Sequence, residues 1–500
     1  MWTVDELFKN TVQKIPDQTA IIDARTREHY SYATVDERVD RIAAGLQAYD
    51  IAPGDRVGIA LANTPAHVFT ALAVQRIGAV AVPFNFRINA DKLRFFVADM
   101  DPELIVYGEE IGELVADLKA ELACDTFVTT GETSQSGIDQ FESLHRESDP
   151  EPVSVSPDDL SVIQYSSGTT GKPSGIEITH RVGVNRVFHH IHSQRSYDRD
   201  VLLGEIPLCH TVGFHGNLLT MVATEGTYVP APKFEPEHNL AVIDEEDITA
   251  LHAVPIMFDR TLSVWRASEQ YDRSLFGSVN FVTSTAAPIS DELFEQFKSV
   301  INPEYLYNVY GMSEIFPPYT KINLRNHDDH RIFGFASSDN MRTVEMGSHD
   351  PTEVTPPGEE GELIIRRDTV CAFEGYWSDH DSASATIIDG WYFTGDAALE
   401  TPEGYYRLTG RLDDRIKFVG ENVYPENVEA ALLSHPSVES VDVFGVDDDE
   451  WGEVPKALVV ADSVTAEELE DHCLDSEMLE DYKRPREFEF VEDIPNSAPI

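Results

Sequence analysis

Hydrophobic residues recur at helical and strand spacings through the first 110 residues. In "TVDELFKNTVQKI" the apolar residues from Val4 to Ile15 fall on one helical stripe, and "TVDERVDRIAAGLQ" carries a second stripe behind a predicted capping box of Thr34 and Glu37. The apolar runs "RVGIALA", "AVAVPF" and "ELIVYG" predict buried strands, with a helix over 65–78 between the first two. This alternation predicts a parallel sheet that is covered by helices.

The pattern continues past residue 150 and changes character near residue 411. Two strands, "LSVIQY" and "GIEITH", flank the segment "YSSGTTGKPSG". Further α/β alternation covers 200–310, a strand-rich and turn-rich part covers 330–410, and short strands with a helix over 464–480 follow. We predict an α/β protein with a large N-terminal domain (1–411), built from parallel α/β sheets and a β-rich subdomain. A small α+β C-terminal domain (412–500) completes the chain.

The charge of the chain restricts its partners. The 500 residues are 42% hydrophobic, yet 37 basic and 89 acidic residues give a net charge of −52. The acidic residues are spread along a chain with enough apolar content to fold, so this is not a disordered acidic segment. Such a surface stays soluble where salt screens it, which predicts a halophilic protein from a salt-rich cytoplasm. Nucleic acid is not expected as a partner, because a phosphate backbone attracts basic surfaces.

The cysteines and the N-terminus predict the compartment. The four cysteines lie far apart, which is typical of free, buried thiols in a reducing compartment: Cys124, Cys209, Cys371 and Cys473. The N-terminus "MWTVDELFKN" carries acidic residues instead of a signal sequence, and no apolar run reaches the ~18 residues of a membrane span. We therefore expect a cytoplasmic monomer or homodimer without stable membrane insertion.

The segment "YSSGTTGKPSG" has the small, hydroxylated composition of a phosphate-binding loop. A Walker loop requires glycine where Ser166 stands and serine or threonine where Pro173 follows Lys172. The dinucleotide-binding pattern GxGxxG is also absent. Taken alone, the segment is either another kind of phosphate loop or a plain surface turn.

Further motifs follow this loop in a fixed order: "PLCHTVG" at 207–213, "STAAPIS" at 284–290, "YNVYGMSE" at 307–314, "GWYFTGDAA" at 390–398 and "GRLDDRIKFVGENVYPENVE" at 410–429. Together with the loop they resemble the adenylate-forming (AMP-binding) superfamily, and the resemblance covers essentially the whole chain. This superfamily includes acyl- and aryl-CoA ligases, luciferases and peptide-synthetase adenylation domains. The resemblance implies an AMP-forming acid–CoA ligase that uses ATP, Mg²⁺ and coenzyme A, with a mobile C-terminal domain.

The resemblance also implies roles in nucleotide binding. The phosphate cradle would consist of Ser166, Ser167, Gly168, Thr169, Thr170, Gly171 and the catalytic Lys172. Ser313 would bind the α-phosphate and Glu314 would hold Mg²⁺. The adenosine would contact Tyr310, Asp396 and Arg411. His210 would gate the carboxylate pocket, Asp413 would be the hinge of the C-terminal domain, and Lys417 and Asn422 would face the site from that domain.

The motifs "PLCHTVGFHG", "EGTYVPAPKFEP", "SEMLEDYKRPREF" and "DDDEWGE" resemble aryl-CoA ligases of the 4-chlorobenzoate type more than fatty-acyl members. This likeness implies that coenzyme A contacts Arg87, Gly420, Trp451, Tyr482, Arg484 and Arg486. It implies an acyl pocket lined by His189, Thr211, Val212, His252, Val309, Gly311, Phe316 and Pro317. The histidines make this pocket more polar than a halobenzoate requires. A hydroxylated or otherwise polar aryl acid therefore fits as well, and a medium- or long-chain fatty acid stays open.

Two departures from the superfamily pattern keep alternatives open. The superfamily's adenylation lysine is expected directly after "IPNSAPI", one position beyond Ile500. Either the sequence is clipped there, or the protein is a nucleotide-binding relative with impaired adenylation. In the benzoate-type ligases, an apolar residue occupies the position of Lys417. A peptide-synthetase adenylation domain is disfavoured, because no acidic residue lines the acyl pocket.

Overall fold

The structure is a computed structural model that describes residues 2–166, 173–194, 199–316, 319–378, 386–418, 421–448, 451–461, 463–476, 479–492 and 494. Its strands, in chain order, are β1 (Thr19–Ile22), β2 (His29–Ser31), β3 (Arg56–Ala60), β4 (Val80–Pro83), β5 (Leu104–Tyr107), β6 (Phe127–Thr129), β7 (Asp139–Gln140), β8 (Leu160–Ser166), β9 (Ser174–Thr179), β10 (Val201–Gly204), β11 (Thr227–Pro230), β12 (Ala250–Ala253), β13 (Phe281–Thr285), β14 (Tyr305–Val309), β15 (Tyr319–Lys321), β16 (Ile332–Ala336), β17 (Met341–Val344), β18 (Glu360–Arg366), β19 (Gly375–Trp377), β20 (Ile387–Ile388), β21 (Trp391–Glu400), β22 (Tyr406–Arg411), β23 (Ile416–Phe418), β24 (Glu421–Val423), β25 (Val438–Asp448), β26 (Gly452–Ala461) and β27 (Glu487–Phe490).

The helices alternate with these strands. The α-helices are α1 (Val4–Lys14), α2 (Tyr32–Ala48), α3 (Pro65–Arg76), α4 (Ala90–Met100), α5 (Gly112–Leu118), α6 (His180–Ser193), α7 (Leu219–Ala223), α8 (Pro236–Glu245), α9 (Pro255–Ala267), α10 (Asp291–Gln296), α11 (Pro425–Leu433) and α12 (Ala466–Asp475). Segments Val212–Leu218 and Phe297–Ile301 are π-helical. Among the described helices, none is both long enough and apolar enough to cross a bilayer.

The first sheet has the strand order β19-β9-β8-β4-β3-β5-β6-β7. Strands β3 to β8 pair in parallel, while β9 runs antiparallel to β8 and β19 antiparallel to β9. Val57, Val82 and Val106 are fully buried, because helices cover both faces. Each such side chain contributes about 1.5–3 kcal/mol of apolar burial. The parallel sheet predicted from the apolar runs is confirmed.

The second sheet has the order β14-β13-β12-β10-β11-β1-β2, and only β2 pairs antiparallel within it. Its parallel strands β12, β13 and β14 end side by side, with Thr283 paired to His252 and Thr285 paired to Val309. Ligands bind parallel α/β sheets at this carboxyl edge. The edge is therefore the natural place to look for a site.

Two more sheets follow in the chain. The strands β15-β16-β22-β21-β18-β17, with β20 on β21, form an antiparallel sheet, which is the predicted β-rich part. A C-terminal sheet, β24-β23-β26-β25 with β27 parallel to β26, encloses a separate core with α11 and α12. The contacts of this small unit with the rest include Glu360, whose Oε2 accepts from Asn422 (3.1 Å) and from the Tyr424 hydroxyl (3.0 Å). They also include hydrogen bonds from Arg260 to the Glu439 carbonyl (3.0 Å) and from Asn427 to the Thr409 carbonyl (2.8 Å).

Helix α2 begins earlier than its sequence pattern predicted. Ser31 caps it, because its hydroxyl accepts from the Thr34 backbone N–H at 3.1 Å. The capping box assigned to Thr34 and Glu37 is therefore wrong. The extra turn is held by Tyr32, which is 1% exposed and donates its hydroxyl to the Gly226 carbonyl at 2.7 Å. All four cysteines are buried and free, as predicted.

Candidate active site

The candidate site lies where β14 ends at Val309 and the motif "YGMSE" begins. Thr285, at the end of the neighbouring β13, donates its hydroxyl to the Val309 carbonyl at 2.9 Å. The Tyr319 hydroxyl accepts from the Tyr310 N–H and donates to the Tyr310 carbonyl, both at 2.7 Å. The start of the motif is thus fixed at the carboxyl edge of the second sheet.

Arg186 of α6 lies fully buried beneath the part of the motif that carries Ser313 and Glu314. Its guanidinium donates to the carbonyls of Ser313 (2.8 Å), Glu314 (2.9 Å) and Cys371 (3.0 Å). It also donates to the Thr211 hydroxyl at 3.2 Å. Burial lowers its pKa to about 10, so the group keeps its charge at neutral pH. The planar fork of arginine holds several acceptors in one geometry, so Arg186 positions the motif.

The carboxylate of Glu314 is hydrogen-bonded to a neutral phenol. Its Oε1 accepts from the Tyr376 hydroxyl at 3.0 Å, and Tyr376 in turn contacts the Tyr392 hydroxyl at 3.1 Å. Burial raises the pKa of Glu314, and no lysine or arginine side chain in the described ranges forms an ion pair with it.

A divalent cation would stabilise the ionised form of Glu314. Mg²⁺ is usually held by one or two carboxylates together with substrate phosphates. In the part of the chain that is described, no group of three or more His, Cys, Asp or Glu side chains forms a metal cage. Glu314 therefore fits a metal that is shared with a phosphate ligand.

Tyr310 and Arg411, which are assigned to the adenosine, both donate to the carboxylate of Asp396, the third residue of this assignment. Asp396 is 5% exposed; its Oδ2 accepts from the Tyr310 hydroxyl at 2.6 Å, and its Oδ1 accepts from Arg411 at 2.9 Å. Burial raises the pKa of Asp396, while the Arg411 charge opposes this shift. A carboxylate offers about four acceptor positions, so Asp396 can still accept from two ribose hydroxyls. The Tyr310 ring packs on Phe333, with centroids 5.0 Å apart.

The predicted acyl pocket centres on Phe316, which is fully buried. A Cβ added to Gly311 would lie 2.8 Å from Phe316 Cδ2, and one added to Gly216 would lie 3.2 Å from Phe316 Cζ. The His190 ring stacks on Phe316 with centroids 5.4 Å apart and an interplanar angle of 21°. The glycines thus make room for two fully buried, stacked rings, which we call the ring wall.

The other residues assigned to the acyl pocket differ in how deeply they are buried. Thr211, His252 and Val309 are buried, while Val212 and His189 are half-buried. The Thr211 hydroxyl donates to Gln164 Oε1. His210 is exposed at the turn that precedes the π-helical segment. Pro317 lies outside the described residues. The π-helical segment that follows His210 agrees with a role in a functional site, because single π-helical turns are frequent at such sites.

A polar cluster that the sequence analysis missed adjoins the ring wall. Lys321 of β15 is 5% exposed, and its Nζ lies 2.8 Å from His190 Nδ1 and 2.8 Å from Gln194 Oε1. His252 Nδ1 lies 2.6 Å from Asn217 Oδ1. Burial lowers the pKa of Lys321 far below its ordinary value and lowers that of His252 to about 3. The alternation of buried residues in β15 predicts that Lys321 is buried, because Lys321 lies on the same buried face of the strand as Tyr319.

The glycine- and serine-rich loop is described only at its ends. Ser166 is the last residue of β8 and pairs with Ser174 of β9, so the two strands form the arms of a hairpin around the loop. The remaining cradle residues lie outside the described residues: Ser167, Gly168, Thr169, Thr170, Gly171 and Lys172. Their assignment stays a prediction.

The residues assigned to the C-terminal unit lie at its junction with the large domain. Asp413 is exposed in the turn between β22 and β23. Lys417 is also exposed, and it pairs with Asn422 across the β23–β24 hairpin. Asn422 contacts Glu360 of the large domain, as described above. Gly420 lies outside the described residues.

The residues assigned to coenzyme A form two groups. Trp451 and Arg486 both pack on the Phe418 ring, at 6.0 and 5.2 Å. Tyr482 and Arg484 lie with Arg486 in the segment before β27, where Arg484 donates to Glu470 at 2.8 Å. The fifth, Arg87, is exposed after β4 and lines a separate cavity of about 460 Å³ together with Arg25 and Lys233. Among the described residues, no contact joins Arg87 to the other four.

Comparison with known proteins agrees with this geometry. The family model for AMP-binding enzymes matches residues 8–377, and that for the AMP-binding enzyme C-terminal domain matches residues 427–499. The chain is 30% identical to a 4-chlorobenzoate–CoA ligase of Arthrobacter sp over 504 residues, covering 100% of this chain and 93% of the relative. It is 30% identical to a feruloyl-CoA synthase of Amycolatopsis sp over 472 residues, covering 94% and 91%.

A solved structure has the same fold. The O-succinylbenzoate coenzyme A synthetase MenE from Bacillus subtilis, in complex with AMP, superimposes with a TM-score of 0.81 at 23% identity. The match covers 98% of this chain and 95% of that one. The fold and the site thus define an AMP-forming acid–CoA ligase. The chain belongs to the AMP-binding enzyme family, and this membership supports ATP, Mg²⁺ and coenzyme A as its cofactors.

Proposed function

We propose that this enzyme converts an aryl carboxylic acid of the benzoate type into its CoA thioester. The stacked pair of Phe316 and His190, held against Gly311 at the end of β14, carries this proposal. A planar acid packs on a planar wall in the offset or edge-to-face arrangement that aromatic rings prefer. The relatives named above for 4-chlorobenzoate and ferulate act on aryl acids, which supports the same class.

In the first half-reaction, the acid's carboxylate attacks the α-phosphorus of ATP, a new C–O–P link forms and pyrophosphate leaves. We assign the α-phosphate contact to Ser313, Mg²⁺ binding to Glu314, and the triphosphate to the loop that ends in Lys172. The metal neutralises charge that builds up on the phosphate oxygens. Asp396 and Arg411 would bind the ribose, and Tyr310 would contact the adenine.

In the second half-reaction, the thiol of coenzyme A attacks the acyl carbonyl, a C–S bond forms and AMP leaves. We propose that residues 412–500 rotate about Asp413 between the two steps and bring Lys417 and Asn422 to the site. His210 would gate the acid pocket, since it lies exposed beside Thr211. Coenzyme A is assigned to the two groups that were described above: Arg87 on the large domain, and Gly420, Trp451, Tyr482, Arg484 and Arg486 on the small one.

The test is CoA-dependent AMP formation with substituted benzoates and with C2–C16 fatty acids. The assays are run at low salt and in molar KCl, because the charge of −52 predicts that activity needs screening. Turnover that is confined to aryl acids and is lost in Glu314→Gln supports the proposal. Turnover that is confined to fatty acids overturns the aryl assignment and leaves the ligase class intact.

A further inference from the structure

We propose that the acid substrate carries a second acidic oxygen group, distal to the carboxylate that is activated, and that Lys321 binds it. The inference rests on the proposed function and deepens it by naming a property of the acid. Lys321 would then be a residue that determines specificity, and none of the motifs of the sequence points to it.

The first support is the burial of a basic side chain that has no acidic partner among the described residues. Lys321 donates to Gln194 and contacts His190, both of which are neutral partners. Within the described ranges, no carboxylate forms an ion pair with Lys321. The titratable groups that surround it are His189, His190 and His252, which are themselves bases. A buried charge that lacks an opposite charge is costly, and an anionic ligand removes that cost.

The second support is a set of buried polar atoms that have no hydrogen-bond partner. In the described part of the chain these include Nε2 of His252, Nδ2 of Asn217, Nε2 of Gln194 and Nδ1 of His189. The first three side chains are at most 7% exposed. Native proteins leave few such atoms unsatisfied, so a cluster of them calls for a missing partner. The amide nitrogens of Asn217 and Gln194 are donors, which an acidic oxygen would satisfy.

The third support is the position of the cluster. His190 forms the wall of the proposed acyl pocket with Phe316, and it is also the partner of Lys321. His252 lies in β12, at the carboxyl edge where Val309 ends β14. The cluster therefore adjoins the ring wall of the proposed acyl pocket. A group at the far end of the acid would reach it.

The experiment compares acids that differ only in the second group. The kcat/KM of the wild-type enzyme is measured by AMP release for benzoate, for 3- and 4-hydroxybenzoate, and for isophthalate and terephthalate. C6–C10 fatty acids and the α,ω-dicarboxylic acids of the same lengths form a parallel series. We expect at least a tenfold preference for acids with the second group, and loss of that preference in Lys321→Met. A preference for the dicarboxylates identifies a carboxylate, and a preference for the hydroxybenzoates identifies a phenol.

A binding measurement separates specificity from folding. Calorimetric titration with sulfamoyl-adenosine mimics of the benzoyl and carboxybenzoyl adenylates should show the same ratio, and Lys321→Arg should retain part of it. Lys298→Met, a variant of a partly exposed surface lysine, should leave the ratio unchanged. Equal kcat/KM for matched acids in the wild type, or an unchanged ratio in Lys321→Met, overturns the inference. If the enzyme does not act on benzoates, the fatty acids and the matched dicarboxylic acids still test the inference. A preference for the dicarboxylic acids would then support Lys321 as the residue that binds the second acidic group.

Discussion

The site has a nucleotide side around Asp396 and an acyl side around Lys321, and the buried ionisable groups of the two sides have different kinds of partner. Asp396 and Lys321 are both 5% exposed. Asp396 has a cation and a phenol as partners, whereas Lys321 has an amide and an imidazole. The buried charge of Asp396 is thus paired within the protein. The acyl side becomes complete only with its ligand, which suggests that the acid supplies the missing charge.

Removal of the carboxylate on the nucleotide side should have the largest effect on the kinetics. In Asp396→Asn, Arg411 loses its ion pair and the proposed ribose contacts become neutral hydrogen bonds. We expect kcat/KM for ATP to fall about 100-fold, since each charge-assisted hydrogen bond contributes about 1.5–3 kcal/mol. Steady-state kinetics at saturating acid measures this. The control is Asp91→Asn, whose side chain is 94% exposed. Comparable kinetics in the two variants would contradict the assignment of Asp396.

Arg186 lies between the two sides, and its loss should affect both. Arg186→Met removes the side-chain donor to the carbonyls of Ser313, Glu314 and Cys371, of which the Glu314 carbonyl still accepts from the Phe373 N–H at 2.7 Å. We expect the free energy of unfolding to fall by about 3 kcal/mol, because buried unsatisfied acceptors cost about 1–3 kcal/mol each. Denaturant unfolding measures this. Arg181→Met provides a matched control on the same helix, since Arg181 is 41% exposed. An equal loss in both variants would mean that Arg186 acts only as a surface residue does.

The buried lysine should make stability depend on pH. Burial lowers the pKa of Lys321 in the folded state, so the unfolded chain binds more protons than the folded chain below the unfolded pKa of about 10.4. Folding stability therefore rises with pH through this group. Relative to Lys321→Met, we expect the free energy of unfolding of the wild type to rise with pH below the unfolded pKa, by at most about 1.4 kcal/mol per pH unit. Parallel stability curves for the two proteins would show that Lys321 is charged in the empty site.

The smallest expected effect concerns the ring wall alone. Gly311→Ala places a methyl group 2.8 Å from Phe316 Cδ2, so a fully buried ring must move. We expect KM for the acid to rise about tenfold, as overpacking costs about 1–3 kcal/mol, while KM for ATP stays within about twofold. Gly277→Ala is the control, because an added Cβ there meets no atom within 4 Å. An equal rise in both KM values would contradict the separation of the two sides.

The sequence predicted the local elements well and the long-range contacts poorly. Sequence alone was sufficient to predict β3, β4, β5 and α1. A strand that is buried on both faces has a continuous apolar run, and a helix that is buried on one side has an apolar stripe. The start of α2 was missed, because a tertiary contact of Tyr32 extends the helix past a weaker capping signal.

The residues of the site show the same division between local sequence signals and long-range contacts. Ser313, Glu314, Asp396 and Arg411 lie within ordered motifs, and motif order made them candidates whose roles stay predictions. Arg186 and Lys321 lie outside any motif, and their roles depend on partners more than 120 residues away in the chain. A sequence pattern contains no signal for such contacts. Only the alternation of buried residues in β15 hinted that Lys321 points inward.

The contact at Glu360 has a consequence for the timing of turnover. The side chains of Asn422 and Tyr424 both end on the same oxygen, Oε2, so their hydrogen bonds form and break at one point. Rotation of residues 412–500, as proposed for the second half-reaction, would release both donors in a single event. Glu360 is half-buried and close to solvent, so water can replace both donors at once. At Glu360 the junction would then have two states, with both donors bound to the carboxylate or both released to water.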